Sequence, residues 1–164
     1  MTRKHAFAPV VAQGTRVLIL GSLPGEMSLA AGRYYAHPRN LFWRLAGAVI
    51  GHEDLPALAY EARLAALLAA GIGLWDTVAS AKRAGSLDAA IRDAEHAPLG
   101  ELVATLPELR AVAFNGGTSA RIGRRQLAGT RLALIDLPSS SPAHAAMPEA
   151  EKRARWMGLR EFLE

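Results

Sequence analysis

Four short apolar runs, each followed by glycine or polar residues, are the clearest pattern along the chain. Each run lacks charged and polar side chains, as is typical of strands that are covered on both faces of a parallel sheet. The predicted strands are Val17–Leu20, Ile72–Trp75, Ala111–Phe114 and Leu132–Ile135.

Between these runs, apolar residues recur at helical spacing, and glycine or proline marks several of the ends. The predicted helices are Leu41–Ile50, Ala57–Ala70, Ser86–Arg92, Leu99–Leu106, Thr118–Leu127 and Pro148–Leu163. Alternation of buried strands with helices predicts an α/β fold with a central, mainly parallel four-stranded sheet. A length of 164 residues, without a linker or repeat, favours a single domain over residues 1–164.

The loops that follow the four strands are the expected place for a site. In open parallel sheets, ligands bind outside the carboxyl ends of the strands. These loops are glycine-rich or polar, so small side chains and backbone amides would line one edge of the sheet. They contain Gly21–Gly25, Asp76-Thr77, Asn115–Gly117 and Ser139–Pro142.

Composition narrows the chemistry that these loops can carry. There is no cysteine, which excludes disulfides, thiolate nucleophiles, iron–sulfur clusters and cysteine zinc sites. The five histidines show no metal-binding spacing, so we expect neither a metal nor another cofactor. The net charge of +4 is compatible with a nucleic-acid partner, although charge alone is weak evidence for one. We expect no membrane association and a soluble, cytoplasmic protein, because no apolar run is long enough for a signal peptide or a membrane span.

Five segments near the predicted strand ends together resemble one known family. They are GSLPG (21–25), YYAHPRNLFW (34–43), GLWDTV (73–78), FNGG (114–117) and LPSSSPA (137–143). The combination is most similar to the hypoxanthine-DNA (deoxyinosine) glycosylase branch of the uracil-DNA glycosylase superfamily. YYAHPRNLFW is the specific part, and the likeness runs from Val17 to about Ala145.

This resemblance implies a three-layer α/β sandwich and a DNA repair function. The expected reaction is hydrolysis of the N-glycosidic bond of deoxyinosine in DNA, which leaves an abasic site. We expect a cofactor-free monomer that acts on DNA with a deaminated base, and no lyase activity, because the motifs contain no lysine. Two alternatives stay open: a uracil, mismatch-specific or xanthine glycosylase of the same superfamily, and a non-catalytic α/β module that binds damaged DNA.

The resemblance also assigns the catalytic residue. Other branches have a catalytic Asp or Asn at the middle of the GxxPG motif, where this chain has Leu23. The resemblance therefore moves the catalytic group to Asn40, whose amide can orient a water molecule. Asn40 is also well placed to cap the helix that follows it, and the two roles can coexist.

The predicted base pocket collects residues from the strand ends. Tyr35 is expected to stack on the flipped base, and Asp76 to accept a hydrogen bond from N1–H of hypoxanthine, unless they are an ordinary loop tyrosine and a helix-capping aspartate. Loop amides at 21–25 can approach the ligand closely because of the glycines. Asn115 could contact the base or a phosphate, or simply form a turn. The pocket residues are Gly21, Ser22, Leu23, Pro24, Gly25, Tyr35, Phe42, Asp76 and Asn115.

The last motif is expected to contact DNA directly. Hydroxyls and amides can bind the phosphates that flank the lesion, while its later residues fill the gap left by the flipped base. A bland serine-rich turn is the alternative. The predicted DNA-binding loop is Ser139, Ser140, Ser141, Pro142, Ala143 and His144. Arg121, Arg124 and Arg125 form a basic cluster, either near the DNA backbone or at a solvated helix end.

Overall fold

The computed structural model describes residues 2–164 and contains the predicted four-stranded parallel sheet. Its seven strands fall into two sheets, of which the larger has the order β3-β2-β6-β7 with every neighbouring pair parallel. All four predicted strands are confirmed, and each extends to within two residues of its predicted ends. The strands are β1 Arg3–His5, β2 Val17–Gly21, β3 Ile72–Asp76, β4 Val78–Lys82, β5 Arg92–His96, β6 Ala111–Asn115 and β7 Ala133–Leu137.

Helices cover both faces of the larger sheet. On one face, α2, α3 and α6 pack against alternate strand residues such as Val17 and Ile19. On the other face, α4 and α5 pack against Leu18 and Leu20. The three-layer α/β sandwich is therefore confirmed, and it explains why the central strands are apolar at every position. The helices are α1 Glu26–Ala31, α2 Phe42–Ile50, α3 Tyr60–Ala70, α4 Leu99–Ala104, α5 Gly117–Leu127 and α6 Glu149–Trp156.

Short 3-10 turns and one extra helix complete the chain. The turns are Leu55–Ala57, Asp88–Ala90 and Met157–Phe162, the last of which continues α6. Helix α1 was not predicted, and it forms inside the long segment after β2. It ends at Gly32, whose φ of 66° places it in the left-handed region that favours glycine. Within residues 2–164, no helix is both long and apolar enough to cross a membrane.

A small antiparallel sheet, β1-β4-β5, is the main departure from the predicted elements. The helix predicted over Ser86–Arg92 is wrong, because this segment forms the turn Asp88–Ala90 and then enters β5. Its Leu and Ala content favours a helix locally, but pairing with β4, which places Val78 opposite His96, overrides that preference. The small sheet matters for function because it borders the site.

Candidate active site

A cavity of about 300 Å³ lies at the carboxyl ends of the parallel strands. Register brings the strand ends together, with Gly21 opposite Asp76 and Asn115 opposite Leu137. Of the predicted site residues, all except Phe42 line this cavity, including Asn40 and the whole of Ser139–His144. Lining residues that were not predicted come mainly from α1 and the turn before β5: Glu26, Met27, Ser28, Tyr34, His37, Ser86, Leu87 and Asp88.

Phe42 lies behind the cavity wall rather than in it. Its side chain is fully buried and stacks on Tyr35, with ring centroids 3.9 Å apart and planes 10° from parallel. The expectation that Phe42 lines the base pocket is corrected by this arrangement. Trp43 adds a second support, because its indole N–H donates to the Tyr35 carbonyl at 3.1 Å. The Tyr35 ring is therefore supported on one face by Phe42, and the Tyr35 backbone has a positive φ of 54°.

Gly21 allows two functional side chains to meet its backbone. A Cβ atom at this position would stand 2.6 Å from Asp76 Oδ1 and 3.1 Å from the Tyr35 hydroxyl. Carbon cannot approach oxygen that closely without displacing it, so any other residue would push Asp76 or Tyr35 aside. The first glycine of GSLPG is therefore required by close approach rather than by a special φ.

Asp76 is a buried carboxyl group without a full set of partners. It is 4% exposed, and its Oδ2 atom has no hydrogen-bond partner within residues 2–164. Burial raises the pKa of Asp76 to about 7, and the charge of Asp88 adds to this effect while Arg83 opposes it. A buried polar atom without a partner is costly, and such groups are common at functional sites.

Asn40 lies one residue before Leu41, the N-cap of α2, and makes a cap-like hydrogen bond to the start of the helix. Its Oδ1 accepts a hydrogen bond from the Phe42 N–H, which lies in the first turn of α2, at 2.9 Å. This bond fixes the amide plane and leaves the NH2 group for another partner. Asn40 therefore meets the cavity as an oriented amide.

Asn115 ties β6 to the segment Ser139–His144, which we call the serine rim. The Asn115 side-chain NH2 donates to Ser140 Oγ, and the Ser140 backbone N–H donates to Asn115 Oδ1, both at 2.9 Å. The Ser140 carbonyl in turn accepts from the Leu41 N–H at 3.0 Å. Asn115 lines the cavity, but much of its amide is already used to hold this rim.

Helix α6 fixes the two ends of the serine rim. The Trp156 indole N–H donates to the Pro138 carbonyl at 3.0 Å, and the Lys152 ammonium donates to the His144 carbonyl at 2.6 Å. Both side chains are almost completely buried. Burial lowers the pKa of Lys152.

The opposite side of the opening is apolar and exposed. Met27 and Leu87 are 48% and 59% exposed, and both line the cavity. We call Met27 and Ser86–Asp88 the apolar rim. Ser86 Oγ accepts from the Glu26 N–H at 2.9 Å, and Ser22 Oγ donates to Asp88 Oδ1 at 2.6 Å.

Arg83 connects this rim to the first motif. Its guanidinium group, only 1% exposed, donates to the carbonyls of Leu23, Pro24 and Gly85 at 3.3, 2.6 and 2.8 Å. The Leu23 side chain turns away from the cavity into a small core with Val78, Ala81 and Ile122. Leu23 therefore contributes to the site mainly through a backbone whose position Arg83 fixes.

A family model described as "Uracil DNA glycosylase superfamily" matches residues 8–160 of the chain. The chain belongs to the uracil DNA glycosylase superfamily. The chain is 46% identical over 117 residues to a protein of Methanosarcina barkeri named "Hypoxanthine DNA glycosylase", an alignment that covers 71% of the chain and 73% of the relative. A Methanosarcina acetivorans protein of the same name is 40% identical over 141 residues, with 86% and 88% covered.

Solved structures agree with this membership. The chain superimposes with a TM-score of 0.88 on the solution NMR structure of a Methanosarcina acetivorans protein described as a candidate uracil DNA glycosylase. The match covers 99% of each chain at 36% identity. The predicted membership of the superfamily, in its hypoxanthine branch, is confirmed by these relatives.

Two residues of the site carried no signal in the sequence. Arg83 and Asp88 stand in a segment with no recognised motif; the small sheet brings Asp88 to the cavity and Arg83 to the backbone of the 21–25 loop. The apolar rim had one available signal, since Leu87 is an apolar residue between Ser86 and Asp88 in a polar turn.

Proposed function

We propose that this protein is a monofunctional DNA glycosylase that removes hypoxanthine from deoxyinosine in DNA. Water adds to C1′ of the sugar, the bond from C1′ to the base breaks, and the base leaves with the bonding electrons and takes up a proton. The observation that carries the proposal is the buried Asp76 carboxyl group, which lines the cavity together with Tyr35 and has one oxygen without a hydrogen-bond partner within residues 2–164. The names of the two relatives support hypoxanthine as the base.

The base must first leave the duplex, which costs a few kcal/mol. Stacking of the flipped base on Tyr35 offsets part of this free-energy cost. One face of its ring is stacked on Phe42, so the other face is free for the base. Stacking of this kind contributes about 1–3 kcal/mol per base.

Asp76 reads the polar edge of the base. In its neutral form, the carboxyl group can accept from N1–H of hypoxanthine and donate to the neighbouring O6. A pKa of about 7 keeps a substantial neutral fraction near neutral pH. The neutral form also favours departure of the base, because an ionised carboxylate would repel the negative charge that develops on it.

Asn40 positions the attacking water. An amide is too weak a base to remove a proton early, so its contribution is orientation of the water and stabilisation of the charged sugar. The bond from the Phe42 N–H to its carbonyl oxygen pre-orients the amide for this task. Backbone amides of the 21–25 loop are available to the leaving base or to the water.

The two rims contact DNA in different ways. Hydroxyls and amides of the serine rim suit the phosphates that flank the lesion, whereas Met27 and Leu87 of the apolar rim suit the exposed faces of neighbouring bases. No lysine is among the described residues that line the cavity, which fits simple hydrolysis without a Schiff base. We expect residues 1–164 to act as one catalytic domain and as a monomer, in the cytoplasm.

Removal of uracil is a second candidate activity. Uracil presents an N–H donor between two carbonyl acceptors, so a neutral Asp76 could read it by the same pair of hydrogen bonds. The cavity has room for the smaller ring, and superfamily membership makes the activity reasonable. Tighter stacking of the larger purine on Tyr35 favours hypoxanthine.

A base-excision assay tests both candidates. Matched duplexes carrying one deoxyinosine, deoxyuridine or deoxyxanthosine are incubated with the protein, and alkali then reveals abasic sites. We expect cleavage at inosine to exceed cleavage at uracil, and Asn40→Ala to abolish it. Cleavage mainly at uracil would assign the second candidate instead, and binding without cleavage at any of the three bases would leave a non-catalytic DNA-binding module.

A further inference from the structure

A second groove, of about 380 Å³, lies beside the cavity between β5 and α5. Asp88 lines both spaces, so the groove begins at the apolar rim of the cavity. Its walls carry three arginines and one histidine, namely Arg92, Arg121, Arg125 and His96.

The arginines of α5 divide into two groups. Arg124 donates to Asp136 at 2.9 Å and lies over the Phe114 ring, 5.7 Å from its centroid. Its positive charge is therefore already paired within the protein. Arg121 and Arg125 are one helical turn apart, are exposed and face the groove. Within residues 2–164, neither takes part in any of the ion pairs of the fold.

The charged side chains of β5 fall into two sets, one that lines the groove and one that forms ion pairs elsewhere. Arg92 and His96 line the groove, whereas Asp93 and Glu95 pair elsewhere, with Lys82 and Arg3, both at 3.7 Å. Asp88 is the one acidic residue among the described groove residues, and it accepts from Ser22. The groove therefore keeps a surplus of positive charge that the protein itself does not neutralise.

We propose that this groove binds the phosphate backbone of the DNA strand whose flipped nucleotide enters the cavity. The identity of the nucleotide rests on the proposed function. A flipped nucleotide remains joined to phosphates on both sides, so its strand must run away from the opening across the adjoining surface. The basic groove starts at that opening, and guanidinium groups bind phosphates by paired hydrogen bonds and release counterions as they do so.

The salt dependence of DNA binding tests the groove. The variant Arg121→Ala/Arg125→Ala is compared with the parent for binding to an undamaged duplex, by fluorescence anisotropy over a series of salt concentrations. Each phosphate contact contributes about 0.9 to the slope of log Kd against log salt, so we expect the slope to fall by roughly 2. Arg121→Lys/Arg125→Lys should keep most of the slope.

Arg131 provides the matched control. It is an exposed arginine that precedes β7, at the opposite end of the sheet from the cavity, so Arg131→Ala should leave the slope of the parent. An unchanged slope in the double alanine variant would overturn the proposal, as would an equal loss per arginine removed in Arg131→Ala. Inosine excision by the parent, measured in parallel at saturating protein, separates the two proposals. If the double alanine variant has a reduced slope but the parent does not excise inosine, only the proposed function is wrong. If the slope of the variant is unchanged and the parent does excise inosine, only the proposal for the groove is wrong.

Discussion

The serine rim and the apolar rim border the same cavity but are built in different ways. Ser140 of the serine rim exchanges two hydrogen bonds with Asn115, and both ends of this rim are held by buried side chains of α6. The apolar rim is held by Ser86 and Asp88 at its base, while Leu87 stays 59% exposed. The serine rim is thus held in place by the fold, whereas the apolar rim offers apolar surface that the folded chain itself does not use.

The largest effect on excision is expected at Asn40, which stands next to the serine rim. Serine is a good helix-capping residue but lacks the amide, so Asn40→Ser separates capping from catalysis. We expect single-turnover excision of inosine to fall by about 100-fold or more, with an unchanged melting temperature. Asn40→Ala should lose the same activity and also about 1 kcal/mol of stability. Excision by Asn40→Ser within a few-fold of the parent would reduce Asn40 to a helix cap.

Substitution of Arg83 tests how much its hydrogen bonds, which lie beside the apolar rim, contribute to stability. Arg83→Met removes the donor from the buried carbonyls of Leu23 and Pro24, and each buried acceptor left without a partner costs about 1–3 kcal/mol. We expect the free energy of unfolding, from urea titration, to fall by several kcal/mol. Arg131→Met, at an exposed arginine, should change it by less than about 0.5 kcal/mol. Equal stability of the two variants would show that the Arg83 bonds contribute little.

Asp76 lies between the rims and should give the protein a pH dependence. Its folded pKa of about 7 exceeds the unfolded value near 3.9, so the folded state holds the extra proton between these values. The stability associated with this proton is complete below about pH 4 and is lost as the pH rises through about 7. Asp76→Asn should therefore match the parent near pH 4 and exceed it at pH 8, by a few kcal/mol at about 1.4 kcal/mol per pKa unit.

The rate of inosine excision should depend on the same protonation of Asp76. The proposed function makes the neutral form of Asp76 the active one, so the parent rate should fall as the pH rises through about 7. Burial of the carboxyl group sets the position of this step, with smaller contributions from the charges of Asp88 and Arg83. In Asp76→Asn the step should disappear. A step that persists unchanged in the variant would assign it to another group.

The smallest effect is expected at Leu87, and it depends on the DNA. If Leu87 contacts bases that neighbour the lesion, Leu87→Ala should lower excision from duplex DNA by several-fold and leave single-stranded DNA nearly unaffected. Leu87→Met keeps the apolar volume and should restore the duplex rate. Because the side chain is largely exposed, the melting temperature should not change. Equal losses on both substrates would contradict a role in the duplex.

The same contrast between the rims explains what could be predicted from the sequence. Strands β2, β3, β6 and β7 are apolar at nearly every position, and the motif residues follow them directly, so the fold and the serine rim could be predicted. Arg83 and Asp88 depend on β4 and β5, and β5 is exposed throughout, so it has no apolar pattern. Pairing between distant segments, and not local pattern, decides where these residues lie. Phe42 was misplaced for a similar reason, because helical spacing does not say whether a ring faces a cavity or supports another ring.

The attachment of the serine rim to α6 also has an optical consequence. Trp156 is fully buried, and its indole N–H is held by the carbonyl of Pro138, immediately before the rim. Indole emission responds to the loss of such a bond and to a change in local polarity. The chain therefore carries an intrinsic fluorophore beside the serine rim, and movement of that rim can be followed without attaching a dye.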